Sequence, residues 1–324
     1  MNNFSILSTA HAVPDKIVTN DDLAQIMDTS DAWISRRTGI HERRIATHED
    51  TTSLCVEVAN KLLSNTNTDP SDIDYIIVGT MSSDYQTPST AAAVQGAINA
   101  DNAVAFDINA ACSGFVYGMN VLNSLLKTNH HSKGILIGGE VLSKLVDWKD
   151  RSTAVLFGDG AGGILATNDS YDGKVLATSL RTYGQLGNSL TAGHFDENNR
   201  FNQNGDDKTR FFKMDGHAIF DFATRKVPES ISTALNQAHV NASDVKYFVL
   251  HQANSRIIQI VARKLKLSLD QFPININHYG NTAAASEPIL LDELVKKGKI
   301  RKGDIIALSG FGGGLTAGTI ILEF

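Results

Sequence analysis

The sequence is short of several things that would steer its reading elsewhere. It has two cysteines in 324 residues, Cys55 and Cys112, too few for a disulfide framework, which fits a reducing compartment and leaves either thiol free for chemistry. Its apolar runs all fall short of the roughly 18 residues that span a bilayer, and the opening MNNFSILSTA lacks the charged, apolar and cleavage regions of a signal peptide. The expectation is a cytoplasmic protein that does not enter a membrane. Basic residues are not in excess, since 29 Lys and Arg face 35 Asp and Glu for a formal net charge of -6. That balance argues against nucleic acid as the main partner, while a local basic face could still bind an anion. No His, Cys, Asp or Glu spacing of a metal site appears, so neither a metal nor a redox cofactor is expected. Apolar residues are not scarce: at 42% hydrophobic and 20% charged, the chain can build two cores or one large duplicated one.

What is present is an internal repeat. SDIDYIIV (71–78) and SDVKYFVL (243–250) share a Ser-Asp start and a strand-like run at an offset of 172 residues. AVAFDINAAC, ending at Cys112, faces FPININHYGN, ending at Asn281, at an offset of 169, and KGILIGG from Lys133 faces GDIIALSG from Gly303 at 170. Glycine turns running into strands follow in both places, LFGDGAGGILAT from Leu156 and GFGGGLTAGTIILEF from Gly310. Such self-similarity implies duplication of one unit of alternating strands and helices, hence two α/β halves with mostly parallel sheets. The halves are residues 1–170 and 171–324, with the seam near Thr167 to Gly173. No linker is long enough to hold them apart, so they should pack together. The polar stretch from Gly193 to Arg210 has no periodicity and reads as an exposed loop inserted in the second half.

Chemistry concentrates at a few points. In FDINAACSGF (106–115) a short β-like run gives way to small residues and then a helix, which puts Cys112 at a strand-to-helix turn. A helix N-terminus carries about half a positive charge and free N–H groups, which favour thiolate and can hold an oxyanion. A buried structural cysteine accounts for the residue on spacing alone, and it is the reading preferred for Cys55, which sits in a helical pattern with Leu54, Val58 and Leu62. His251 ends the strand YFVL, at the carboxyl edge where open α/β sheets place their sites; a satisfied structural histidine is the plain alternative. Asn281, in HYGNTAAAS, is also a common turn and cap residue. By the repeat, Cys112 and Asn281 hold equivalent turns that can face one site. Phe311-Gly312-Gly313-Gly314 supplies exposed N–H groups of the kind an oxyanion hole needs, with Gly313 the candidate donor. The run 158–163 suggests a nucleotide loop, but it continues into strand-like ILAT rather than a helix, which rejects that reading.

Together, DTSDAWISRRTGIHERR, AACSGF, DRSTAVLFGDGAG, HQANSRI, YGNTAAAS and GFGGGLT, in this order over essentially the whole chain, resemble β-ketoacyl-acyl carrier protein synthase III of the thiolase-fold condensing enzymes. The resemblance implies a duplicated five-layered αβαβα fold of two pseudo-twofold related halves with mixed, mostly parallel sheets, a homodimer, and the triad Cys112, His251 and Asn281. It places coenzyme A contacts at Trp33, Arg37, Arg151, Ala253 and Asn254. The implied reaction joins a short acyl-coenzyme A to malonyl-acyl carrier protein through an acyl-Cys112 intermediate, initiating fatty acid biosynthesis, with acyl-coenzyme A a substrate and no cofactor. Ser309-Gly310-Phe311 stands where thiolases resemble one another in a second cysteine, and Asn281 where chain-elongating relatives have a second histidine. Two positions depart from the pattern. Thr87 replaces the aromatic residue by which the partner subunit usually closes the acyl pocket, and Asp221 stands where a lysine for carrier docking is frequent. The helix after His251 puts Arg256 and Arg263 away from its apolar face of Ile257, Val261 and Leu265, a candidate docking surface. The alternatives are a Cys-His-Asn thioester hydrolase, a polyketide-type condensing enzyme, and a scaffold without activity.

Overall fold

The computed structural model describes residues 3–128, 131–170, 172–195 and 210–324. Residues 196–209 of the loop expected between Gly193 and Arg210 lie outside that description.

Strands β1 (Ser5–Ala12), β2 (Tyr75–Gly79), β3 (Val104–Ile108), β4 (Lys133–Glu140) and β5 (Gly160–Thr167) form one sheet in the order β1-β5-β4-β2-β3. Strands β6 (Lys174–Thr182), β7 (Tyr247–Leu250), β8 (Ile305–Gly312) and β9 (Thr316–Glu323) form a second in the order β7-β8-β9-β6. β2 runs parallel to β3 and to β4, and β7 to β8. The pairs β1–β5, β4–β5, β8–β9 and β9–β6 are antiparallel. The sheets are therefore mixed, and the expectation of mostly parallel pairing is corrected. For β8 and β9 a short glycine turn is the reason: Gly313-Gly314-Leu315 is all that joins them, and a connection that short permits only antiparallel return.

Seven helices matter to the layers: α1 (Asp31–Thr38), α2 (Thr51–Thr66), α3 (Thr90–Ala97), α4 (Gly114–Leu126), α5 (Gly216–Ala238), α6 (Ser255–Leu265) and α7 (Ser286–Lys296). α2 and α3 cover the outer face of the first sheet, α4 and α7 lie between the sheets, and α5 with α6 covers the outer face of the second. Strand side chains alternate between faces, and the cores show it. Ile76 and Ile135 pack with Leu54, Val58 and Leu62 of α2. Their neighbours Ile77 and Leu136 pack inward with Phe115, Leu122 and Leu290 of the central helices. Phe248 turns outward to Val227, Ile231 and Val261. Truncating a central residue such as the wholly buried Leu122 to alanine would cost about 2–5 kcal/mol. No helix among the described residues is long and apolar enough to cross a membrane.

From the caps of α2 and α5 through β4 and β8 the duplication keeps one register of 172 residues, while β1 and β6 begin 169 residues apart and β5 and β9 begin 156 apart. α2 and α5 end on left-handed caps at Asn67 (φ 50) and His239 (φ 55), while β2 and β7 begin at Tyr75 and Tyr247. β4 and β8 begin at Lys133 and Ile305, and the turns before α4 and α7 hold Ala111 and Ala283 at φ 46 and 43. The offsets of 169 and 170 are thereby corrected. The counterpart of Asn281 is Asn109, and the counterpart of Cys112 is Ala284. The error arises in FPININHYGN, which is not a strand: Pro273 has no N–H to give a ladder, and Ile276–Tyr279 forms one helical turn where the first half has β3.

Candidate active site

β3 stops at Ile108, and the Asn109 side-chain oxygen accepts the Ala111 N–H at 3.2 Å, closing a turn that leads through Ala111–Ser113 into α4. Ser113 Oγ meets Thr316 Oγ1 of β9 at 2.9 Å, so the turn is fastened to the second sheet. Gly312 of β8 passes so near that a Cβ there would lie 2.6 Å from Cys112 Cβ and 2.9 Å from Sγ; only glycine permits that approach. The N–H groups of Gly313 and Cys112 reach the sulfur as donors. Burial nevertheless pushes the Cys112 thiol well above its ordinary value, the buried carboxyls of Glu140 and Glu287 add to the effect, and the two N–H groups only reduce it. The resting sulfur is a thiol, not the thiolate that a helix N-terminus suggested, because desolvation outweighs half a charge of dipole in so dry a turn.

His251 follows β7, is 1% exposed, and donates its backbone N–H to Ser309 O at 2.9 Å. Its Nδ1 lies 2.7 Å from Ser286 Oγ, and its ring meets Phe311 edge-on at 5.0 Å between centroids. Burial lowers its pKa to about 3, so the imidazole is neutral and suits hydrogen-bond donation better than proton abstraction. Asn281 is pinned by its backbone between Leu156 and Gly158, and its side-chain oxygen accepts the Ala283 N–H at 2.9 Å. With the oxygen engaged, the amide NH2 is left to face the site. Cys112, His251 and Asn281 line one cavity of about 100 Å³, whose walls include Met81, Phe157, Leu190 and Phe212. Phe157 and Phe212 stack at 4.1 Å.

The other expected residues fall into three groups. Ala253 and Asn254 line the same cavity. Asn254 caps α6 through the Arg256 N–H and donates its amide to Arg37 O at 3.0 Å. The guanidinium carbons of Arg37 and Arg151 lie 4.3 and 4.9 Å from the centre of the Trp33 ring, which brings all five residues into one contiguous edge. Arg151 donates to Asp28 O at 2.5 Å rather than pairing with Asp150, which caps its own helix. Arg256 and Arg263 are exposed on α6. Asp221 is bound by Arg225 one turn along at 2.5 Å, so its charge is offset locally. Thr87 is exposed in the segment 85–88 and does not line the Cys112 cavity of its own chain. Cys55 is buried against Gly139 in the outer core, away from that cavity, as its helical pattern suggested.

Three site residues escaped the sequence reading. Glu140, at the end of β4, is buried, takes hydrogen bonds from Ser82, Thr80 and Met81, and has its carboxyl pushed up to about 7 by burial. An acid at the carboxyl end of a strand was the available signal. Ser286 and Glu287 open α7 beneath His251. At the register of 172 they face Gly114 and Phe115, and an acid opposite a core phenylalanine was the signal there.

Two duplicated sheets with helices buried between them, and a cysteine brought to their shared cavity, define a thiolase-fold condensing enzyme. The family profile described as 3-Oxoacyl-[acyl-carrier-protein (ACP)] synthase III matches residues 106–184, and its C-terminal profile matches residues 235–324. The chain is 56% identical over 323 residues to the Beta-ketoacyl-[acyl-carrier-protein] synthase III of Lactobacillus helveticus, covering 99% of each. It is 53% identical to that of Levilactobacillus brevis with the same coverage. The crystal structure of 3-oxoacyl-[acyl-carrier-protein] synthase III from Aquifex aeolicus superposes with a TM-score of 0.93 at 40% identity, over 99% of this chain and 100% of that one. The chain belongs to the β-ketoacyl-acyl carrier protein synthase III family.

Proposed function

We infer that the protein condenses a short acyl-coenzyme A with malonyl-acyl carrier protein, working as two halves, 1–170 and 171–324, that contribute the nucleophile and the two donors respectively. The observation that carries this reading is the amide of Asn281 and the neutral imidazole of His251 turned on the same cavity as Cys112. Cys112 Sγ attacks the thioester carbonyl, the N–H groups of Cys112 and Gly313 hold the oxyanion, and the thiol proton leaves on the sulfur of coenzyme A. In the second step the malonyl carboxylate leaves as carbon dioxide, and its electron pair forms an enolate whose oxygen accepts from His251 and Asn281. The carbanion attacks the acyl carbon, the bond to Cys112 breaks, and the sulfur regains a proton from solvent. A thioester hydrolase would need a base to activate water, and an imidazole with its pKa near 3 is a poor one.

Trp33, Arg37, Arg151, Ala253 and Asn254 are assigned to coenzyme A, and Arg256 with Arg263 to the carrier protein. In a homodimer Thr87 would face the partner's pocket and leave it longer than an aromatic residue would. The compartment is the cytoplasm, and the two thioesters are substrates, not resident cofactors. The test is intact mass after treatment with a series of acyl-coenzyme A donors, followed by malonyl-carrier protein. An acyl adduct that converts to a β-keto product supports the reading; free acid alone means a hydrolase, and no adduct means a scaffold.

A further inference from the structure

Ser286 Oγ has more neighbours than an ordinary hydroxyl can serve at random, and counting them fixes where a proton lies. Four polar atoms surround it: Gln252 N at 3.3 Å, His251 Nδ1 at 2.7 Å, Ala283 O at 2.9 Å and Glu287 Oε2 at 3.0 Å. The hydroxyl has one proton to give and two lone pairs. The Gln252 N–H can only donate, so it takes one lone pair. The 2.7 Å contact to Nδ1 must hold a proton, belonging either to the ring or to the serine.

The carboxyl of Glu287 decides between these. Its side chain is wholly buried, and Oε1, packed against Gly310, has no hydrogen-bond partner among the described residues. An ionised carboxylate with one bare oxygen in this dry central layer is strongly disfavoured, and burial holds the group well above the usual carboxylate range. A neutral acid instead places its O–H on the second lone pair of Ser286. With both lone pairs filled the ring cannot donate to Oγ, so the proton in the shorter 2.7 Å contact with Nδ1 is the serine's own, with Ala283 O at 2.9 Å as its secondary acceptor.

We propose that Glu287, as a neutral carboxylic acid, is a positioning residue whose hydrogen bond to Ser286 Oγ turns the Ser286 hydroxyl onto His251 Nδ1 and so keeps the ring proton on Nε2. That tautomer is the one able to donate to an enolate oxygen. An ionised Glu287 would draw the Ser286 proton to itself, move the ring proton to Nδ1 and leave Nε2 without a donor. The proposal deepens the decarboxylation role of His251 and rests on that reading.

The experiment compares Glu287→Gln, whose amide keeps a donor toward Ser286, with Glu287→Leu, which keeps the volume and has none. Ring nitrogens are observed by NMR in protein labelled with nitrogen-15 histidine, the His251 signals being assigned by their loss in His251→Asn. Wild type is expected to show a protonated Nε2 and a bare Nδ1, and the Gln variant the same. The Leu variant should lose that pattern and decarboxylate malonyl thioester roughly 10- to 100-fold more slowly, less than removal of a whole oxyanion donor costs, while Cys112 acylation stays within about threefold. Gln should restore decarboxylation to within about threefold of wild type. A wild-type ring protonated at Nδ1, a Gln variant as slow as Leu, or equal loss of both half-reactions would each overturn the proposal. Should the Leu variant not fold, the wild-type ring spectrum decides alone. Wild-type protein that decarboxylates nothing removes the functional reading, whereas the resting tautomer still judges Glu287.

Discussion

The turn at 109–113 and the turn at 281–285 share a backbone and divide the chemistry. In each, an asparagine oxygen accepts the N–H two residues on, from Ala111 at 3.2 Å and from Ala283 at 2.9 Å. In each, that alanine sits in the left-handed region, at φ 46 and φ 43, a conformation that costs a non-glycine residue about 1–2 kcal/mol. A short 3-10 turn then opens a helix of the central layer. The side chains differ. Asn109 is exposed and Asn281 is buried; Cys112 faces Ala284, and Gly114-Phe115 faces Ser286-Glu287. Duplication thus supplied two scaffolds in register, and the labour was split by what stands at matching positions. One turn holds sulfur and backbone donors; the other holds an amide and the hydroxyl network beneath His251.

The largest effect should come from the one position that has no equivalent function across the pair. Cys112→Ser is expected to lower acyl-enzyme formation by roughly 10³-fold or more, read as loss of the mass adduct, while Cys55→Ser acylates normally. Moving the thiol to the other turn, as Cys112→Ala with Ala284→Cys, should not restore it, because the N–H groups of Gly313 and Cys112 face the sulfur of the first turn. Acylation of the transplanted cysteine would break the comparison.

A smaller and sharper contrast lies between the two asparagines. Asn281→Ala is expected to slow malonyl decarboxylation about 10²- to 10³-fold and to leave Cys112 able to acylate. Asn109→Ala removes the same backbone contact with no donor facing the cavity, so it should cost only about 1 kcal/mol of stability, measured by denaturant unfolding, with decarboxylation unchanged. If the two substitutions slowed decarboxylation alike, the amide of Asn281 would be a turn cap and nothing more.

Much of this was legible in the chain, and the failures have physical causes. Cys112, His251 and Asn281 could be read because each follows or replaces a strand end, and strand ends announce themselves by apolar runs that stop at small or polar residues. The register could not, since FPININHYGN has strand composition and only tertiary packing turns it into a helical turn after Pro273. Protonation was also hidden. A dipole argument is local and sequence carries it, whereas the burial that lifts the Cys112 thiol and lowers His251 belongs to the assembled layers. Glu287 shows both limits: its partners Ser286 and Gly310 are one residue and 23 residues away, and only the second sheet brings the latter to it.

The smallest expected effect concerns the outer helices, where the halves differ in charge instead of chemistry. α3 follows β2 with the sequence TAAAVQGA and carries no charge, whereas α6 follows β7 with SRIIQIVARKL. Burial of Ile257, Ile258, Val261 and Ala262 turns Arg256 and Arg263 outward beside the cavity that Asn254 and Ile257 line. Lys264 is drawn aside to Thr224 O at 2.9 Å, and Asp221 is already matched by Arg225, so the two arginines extend the positive edge that Arg37 and Arg151 begin. Exposed charge pairs contribute about 0.2–1 kcal/mol each, so a reversal acts mainly on encounter. Arg256→Glu should therefore raise the Michaelis constant for malonyl-carrier protein roughly three- to tenfold and change that for acyl-coenzyme A by less than about twofold. The ratio should shrink as salt is raised, because the screening length falls from about 10 Å at 0.1 M to about 3 Å at 1 M. Asp221→Lys, which frees Arg225, should shift the carrier constant the other way. Equal changes for both substrates, or a carrier constant indifferent to salt, would mean that α6 differs from α3 only in being better solvated.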